Sequence, residues 1–214
     1  MKKFIFLFAS IIGLIGLFLF GKDYLDKQEQ SFSGYCLSSN EIRQIQNGDI
    51  ILRKGYGTVS DLISKTLHEE YDVSHCAIIH KFNDSIEVIH AVSQSLSDFD
   101  GVQTQSLKRF INDSKPNSII LLRYNSDLHD QSKIADRAIF YLRKKIPFDH
   151  GFDIKDSSQF YCTELIWKVI KDTYNKDILC KTDSSDEKSH FKFKCFWNST
   201  NFKIIFNHQL KKKI

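Results

Sequence analysis

Three side chains have the types and spacing for covalent chemistry at a carbonyl: Cys162, His75 and His90. Cys162 lies in Gln159-Phe160-Tyr161-Cys162-Thr163-Glu164-Leu165-Ile166-Trp167, behind a polar, turn-rich stretch from Pro147 to Ser158. Apolar Leu165, Ile166, Val169 and Ile170 then recur at helical spacing, with Lys168, Lys171 and Asp172 between them. The cysteine is therefore expected in the first turn of an amphipathic helix. Free N–H groups and the positive end of the helix dipole favour a thiolate there, below the ordinary thiol value of ~8.5. A small core cysteine would fit the same local pattern, so the decision rests on what else the fold brings near it.

The histidines supply that second observation. Ser74-His75-Cys76-Ala77-Ile78-Ile79-His80-Lys81-Phe82 runs into Asn83-Asp84 and returns as Ser85-Ile86-Glu87-Val88-Ile89-His90-Ala91-Val92. With Asn-Asp as a two-residue hairpin loop, Phe82 pairs with Ser85, Ile79 with Val88, Ala77 with His90 and His75 with Val92. Alternation puts His75, Ala77, Ile79, Val88, His90 and Val92 on one face and His80 on the other. His75 and His90 become diagonal neighbours, a relationship with typical spacing of ~7–8 Å.

A thiol at a helix start and an imidazole on a facing sheet are the parts of a nucleophile with its general base. In this reading Cys162 attacks, His75 takes and returns the proton, and His90 fixes the tautomer of His75. The Cys162 N–H would donate to the developing oxyanion. The plainer alternative makes both histidines hydrogen-bonded sheet residues. A metal cluster is not expected, because His80 faces away and no carboxylate stands at helical spacing to the histidines. Asp149, Asp153 and Asp156 lack a closing glutamate for a calcium loop, so they read as turn formers. Asp49 likewise reads as a turn residue, and Glu164 as exposed or bonded to nearby backbone. No cofactor is expected.

The positioning elements follow from pattern. A turn of helix is expected around Ile42–Gln46, and a strand over Ile50–Arg53 after Asn47-Gly48-Asp49. A helix from about Thr58 to His68 would have Val59, Leu62, Ile63 and Leu67 on one face and Thr58 or Ser60 as cap. Val92–Gln105 reads as a long loop, Leu107–Asn112 as a short helix, Ser118–Tyr124 as a strand and Gln131–Lys145 as a helix. The helix is expected to present Ile134, Ala138, Ile139, Tyr141 and Leu142. Phe191–Trp197 and Phe202–Phe206 read as late strands or a membrane-facing edge.

Composition narrows the function classes. Without Lys2 and Lys3, 28 basic residues face 26 acidic ones, a net charge near +2 that argues against a nucleic-acid partner. Lys2-Lys3 precede an uncharged run of 17 residues, Phe4–Phe20, longer than a usual signal-peptide core of ~7–15 and without a small-x-small exit. Residues 1–21 are thus expected to be an N-terminal transmembrane helix or signal peptide that places the body outside the cytoplasm. Residues 22–46 would be a tether, 47–175 the catalytic domain, and 176–214 an extension packing on it. The five cysteines, Cys36, Cys76, Cys162, Cys180 and Cys195, are an odd number. In an oxidising compartment one would stay free, with Cys162 nominated; a Cys180–Cys195 bridge is open.

In order, "NGDIIL" (47–52), "SHCAII" (74–79), "EVIHA" (87–91), "PFDHGFD" (147–153) and "FYCTELIW" (160–167) resemble the permuted papain-like amidase family, the YaeF/YiiX group. These are relatives of NlpC-type cysteine peptidases in which histidine precedes cysteine. The resemblance covers about Asn47–Asn175 and implies an α+β fold, a small, mostly antiparallel sheet packed against helices. It carries over Cys162 and His75 as nucleophile and base. Where the family often has Glu-Ala, this chain has His90-Ala91, an arrangement similar to lecithin:retinol acyltransferase-like proteins. The implied activity is hydrolysis of an amide or ester in a cell-wall peptide or an N-acyl lipid, with acyl transfer or a non-catalytic binding module as alternatives.

Overall fold

The computed structural model describes residues 16, 21–22, 24–31, 33–67, 69–126, 131–179 and 192–209. Its centre is a six-stranded antiparallel sheet in the order β4-β3-β2-β1-β5-β6, with β1 Ile50–Arg53, β2 His75–Phe82, β3 Ser85–Val92, β4 Gly101–Ser106, β5 Ile120–Tyr124 and β6 Phe202–Asn207. Helices cover both faces, which is why the inner strands are continuous apolar runs rather than alternating ones. The helices are α1 Ser39–Gln44, α2 Thr58–Leu67, α3 Leu107–Asn112, α4 Ser132–Arg143 and α5 Cys162–Tyr174.

Strand alternation divides the core into two layers. Ile50, Leu52, Cys76, Ile78, Ile89, Ala91, Ile120 and Leu122 pack with α4 and α5. Ile51, Ala77, Ile79, Val88 and Leu121 pack on the opposite side with Leu107, Phe110 and Ile111 of α3 and with Leu37 and Ile45. Helix α5 starts from an extended Tyr161, whose N–H donates to Glu164 Oε2 at 3.4 Å, and ends at Asn175 in the left-handed conformation. Its buried face is Leu165, Ile166, Val169 and Ile170, as the periodicity requires. On α4, Ile134, Ala135, Ala138 and Tyr141 are buried.

Several expectations need correction. The stretch expected as a loop from Val92 to Gln105 contains β4, which pairs with β3 from Val92↔Gly101 to Glu87↔Ser106. Polar Gln103, Thr104 and Gln105 hid this strand because only its Gly101–Val102 start is buried. Helix α2 packs Ile63 and Leu67 against the core as expected, but it also buries Ser60 and Ser64 and leaves Val59 and Leu62 exposed. The hydroxyls explain it: Ser60 Oγ donates to Gly55 O at 2.8 Å and lies 2.5 Å from Ser74 Oγ, which accepts the Gly55 N–H. Phe193–Trp197 is a 3-10 helix, not a strand. The 176–214 segment supplies β6, whose pairing with β5 extends the sheet itself.

Helical residues 24–31 and α1 occupy the segment expected as a tether. Asp26 accepts the Gly57 N–H at 3.0 Å and Lys115 Nζ lies 3.5 Å from its carboxylate, fastening these residues to the body. No helix among the described residues is long and apolar enough to cross a membrane. The Phe4–Phe20 run lies outside them except for Gly16, and Cys180 lies outside them entirely.

Candidate active site

The loop before α5 is held by Asp149, fully buried. Its carboxylate accepts the N–H groups of Gly151, Phe152 and Asp153 at 2.8, 2.8 and 2.7 Å. This is the turn-forming role expected of the aspartates. Asp149 N–H donates to Phe160 O at 3.2 Å and Phe160 N–H to Pro147 O at 3.0 Å, so both ends of the loop are clamped where Cys162 begins the helix.

Cys162 is partly exposed. Its acidity is raised, so its pKa falls below the usual thiol range. The Cys76 thiol is the first cause; the N–H groups of Cys76, Thr163 and Cys162 itself add to it, while burial opposes. Cys76 is wholly buried, and burial together with the Cys162 charge pushes its own thiol well up. Of the pair, Cys162 is the more acidic thiol and Cys76 the donor.

The position of that sulfur follows from the ladder. Ile79 N–H donates to Asp49 O at 2.7 Å, on the β1 side. Backbone N–H groups of a strand alternate in direction, so the Cys76 N–H is aimed at β3. The β2·β3 ladder, however, ends at Ile78↔Ile89. The expected Phe82–Ser85 and Ile79–Val88 pairs form, but Ala77–His90 and His75–Val92 do not. Beyond Ile78 the strands part, and the N–H that β3 leaves unpaired is available to the Cys162 sulfur. Cys162 sits where the β2·β3 ladder ends.

The two imidazoles meet at the same end of β2. His75 Nε2 and His90 Nδ1 are 2.9 Å apart, and the rings are 5.1 Å centre to centre at 60°. Phe110 of α3 lies 6.0 and 6.1 Å from them. Arg53 stacks over Phe110 at 4.4 Å, donates to Phe110 O at 3.1 Å and approaches Asp113 at 4.0 Å. Burial, then His90 and Arg53, holds His75 well below its ordinary value; burial and Arg53 take His90 down to about 3. Both rings are neutral at pH 7, and one donates to the other.

The structure thus brings His75 to His90 and Cys162 to Cys76. It does not bring His75 into a hydrogen bond with Cys162. The reason is period two: His75 and Cys76 are consecutive, so one points to the α3 layer and the other to the α5 layer. Strand parity applied to Cys76 as well as to the histidines would have shown this. Sequence reasoning also missed Arg53, which pairs with His75 across β1 and β2 and whose charge acts on both rings. Glu164, expected as exposed or bonded to nearby backbone, is 1% exposed and bonded to Tyr161 N–H. Among the described residues no group of three or more His, Cys, Asp or Glu could hold a metal ion.

The sequence model described as "Permuted papain-like amidase enzyme, YaeF/YiiX, C92 family" matches residues 44–211. Among solved structures, the chain is similar to the metalloprotein yiiX of Escherichia coli O157:H7. The TM-score is 0.58 at 21% identity, covering 77% of this chain and 98% of that one. No curated protein matches the chain.

Proposed function

The chain belongs to the permuted papain-like amidase family, and from that premise we propose that it is a cysteine hydrolase cleaving an amide or ester through a thioester on Cys162. The observation that carries the reading is the partly exposed Cys162 at the first position of α5, kept acidic by Cys76 and by three backbone N–H groups. The thiolate attacks the carbonyl carbon, and the Cys162 and Thr163 N–H groups are placed to receive the charge developing on its oxygen. Neutral His75 takes the Cys162 proton as the thiolate forms and gives it to the amine or alkoxide that collapse expels; it then takes a proton from the water that opens the thioester and returns it to the sulfur. His90 holds the His75 tautomer through their 2.9 Å contact. The His75–Cys162 hydrogen bond is absent in the resting chain, where His75 is bonded to His90, and is made with substrate bound. Catalytic hydrogen bonds that close only on the substrate complex are a general feature of such sites.

The Lys2-Lys3 start and the uncharged Phe4–Phe20 run support a body exported and anchored in the membrane, where a cell-wall peptide or an N-acyl lipid is the substrate. A reporter fused after Ile214 should be active outside the cytoplasm; activity inside refutes export. A second reading, a binding module without turnover, is favoured by one observation: the His75 ring faces the α3 layer and is bonded to His90. Labelling and turnover separate the two. The hydrolase should label with iodoacetamide at Cys162 near neutral pH, lose labelling in Cys162→Ala, and cleave a p-nitrophenyl acyl ester at a rate that falls at least ~100-fold in His75→Ala. Equal rates in wild type and His75→Ala would leave the binding module.

A further inference from the structure

The structure sets a second thiol, Cys76, in the same cluster as Cys162. We propose that Cys76 and Cys162 close a reversible disulfide that masks the nucleophile, making the pair a site of oxidative modification by small-molecule disulfides. Cys76 points from β2 into the α5 layer, and Cys162 packs against that same cluster from the first position of α5. Both the thiol and the backbone N–H of Cys76 are turned to the Cys162 sulfur. The exposures differ in the useful direction: Cys162 is partly exposed, while Cys76 is sealed. Of the two, Cys162 is the one that solvent-borne oxidant reaches.

The chemistry closes with glutathione disulfide as the oxidant. The Cys162 thiolate attacks one sulfur of glutathione disulfide, forming the Cys162–glutathione bond and releasing one glutathione thiolate. Cys76 then attacks the Cys162 sulfur. The Cys162–Cys76 bond forms, the second glutathione leaves as thiolate, and the Cys76 proton passes to it. Two protein thiols are oxidised and one glutathione disulfide is reduced to two glutathiones. The strained, partly accessible disulfides of proteins are the readily reduced ones, so added dithiothreitol should restore the nucleophile.

The proposal rests on the facing of the two sulfurs and stands whether or not Cys162 turns over a substrate. The full-length protein is incubated with glutathione disulfide, and non-reduced peptides are mapped by mass spectrometry. The expected result is a Cys76–Cys162 cross-linked peptide with loss of iodoacetamide labelling at Cys162, reversed by dithiothreitol. Cys76→Ser should stop at the glutathione adduct on Cys162, and Cys76→Ala serves the same purpose if the serine variant does not fold. Wild type that also stops at the adduct, that joins Cys162 to another cysteine, or that is not oxidised at all overturns the proposal. The wild-type map alone decides this, without any variant.

Discussion

Replacing Glu164 by glutamine should stabilise the protein at alkaline pH and leave it nearly unchanged in acid. Glu164 lies in the first turn of α5, almost fully buried, with Oε1 buried and without a hydrogen-bond partner. Burial, then the negative charges of Asp149 and Asp156, pushes its carboxyl from 4.5 up to about 8. The folded chain thus holds a proton that the unfolded chain has released. Stability from this group is complete below about pH 4.5 and is lost as pH rises to about 8. At ~1.4 kcal/mol for each tenfold change in acidity the ceiling is about 5 kcal/mol, and side-chain relaxation reduces it to about 2–5 kcal/mol. Glutamine keeps the oxygen that accepts the Tyr161 N–H at 3.4 Å and cannot ionise. Urea unfolding of both proteins, followed by the fluorescence of Trp167 and Trp197, reads the difference directly. The glutamine variant should gain about 1–2 M in midpoint over wild type between about pH 5 and pH 8. A difference that does not change with pH, or a variant weaker than wild type at pH 8, refutes the reasoning.

The histidine pair predicts the opposite slope. His75 and His90 are buried neutral, His90 with its value taken from 6.5 to about 3, so the unfolded chain binds the extra protons and stability falls as pH drops from 6.5 toward 3. His90→Gln should flatten the acid limb of melting temperature against pH; an unchanged limb would show that other groups govern it. Gly101→Ala should destabilise by about 1–3 kcal/mol, because φ is +95° and a Cβ would lie 2.3 Å from the Ile146 carbonyl oxygen. A thermal midpoint equal to wild type would contradict that close approach.

The fold was legible wherever one physical signal dominated. The α5 face, α3 and the β2–β3 turn register follow from periodicity and turn chemistry, and each is found where expected. Strand β4 was hidden because it is an edge strand with one buried end, and its polar residues carry no two-residue alternation of apolar side chains. On α2, Val59 and Leu62 were misplaced for a related reason: Ser60 is buried to satisfy Gly55 O and Ser74, and a hydrophobic template cannot count hydrogen bonds across the chain.

At the site, spacing alone put His75 beside His90, since fifteen residues around a tight turn fix that neighbourhood. It could not show where β2 and β3 part. A ladder is a cooperative pattern that sequence lets one extend indefinitely; here it stops at Ile78↔Ile89. The stop leaves the Cys76 N–H to the Cys162 sulfur, while strand parity turns His75 to the opposite layer. Cys76 thus lowers the Cys162 pKa, and His75 stays with His90. In the proposed hydrolase the sulfur is thus prepared by Cys76 in the resting chain, and His75 has to leave His90 before it can act on that sulfur.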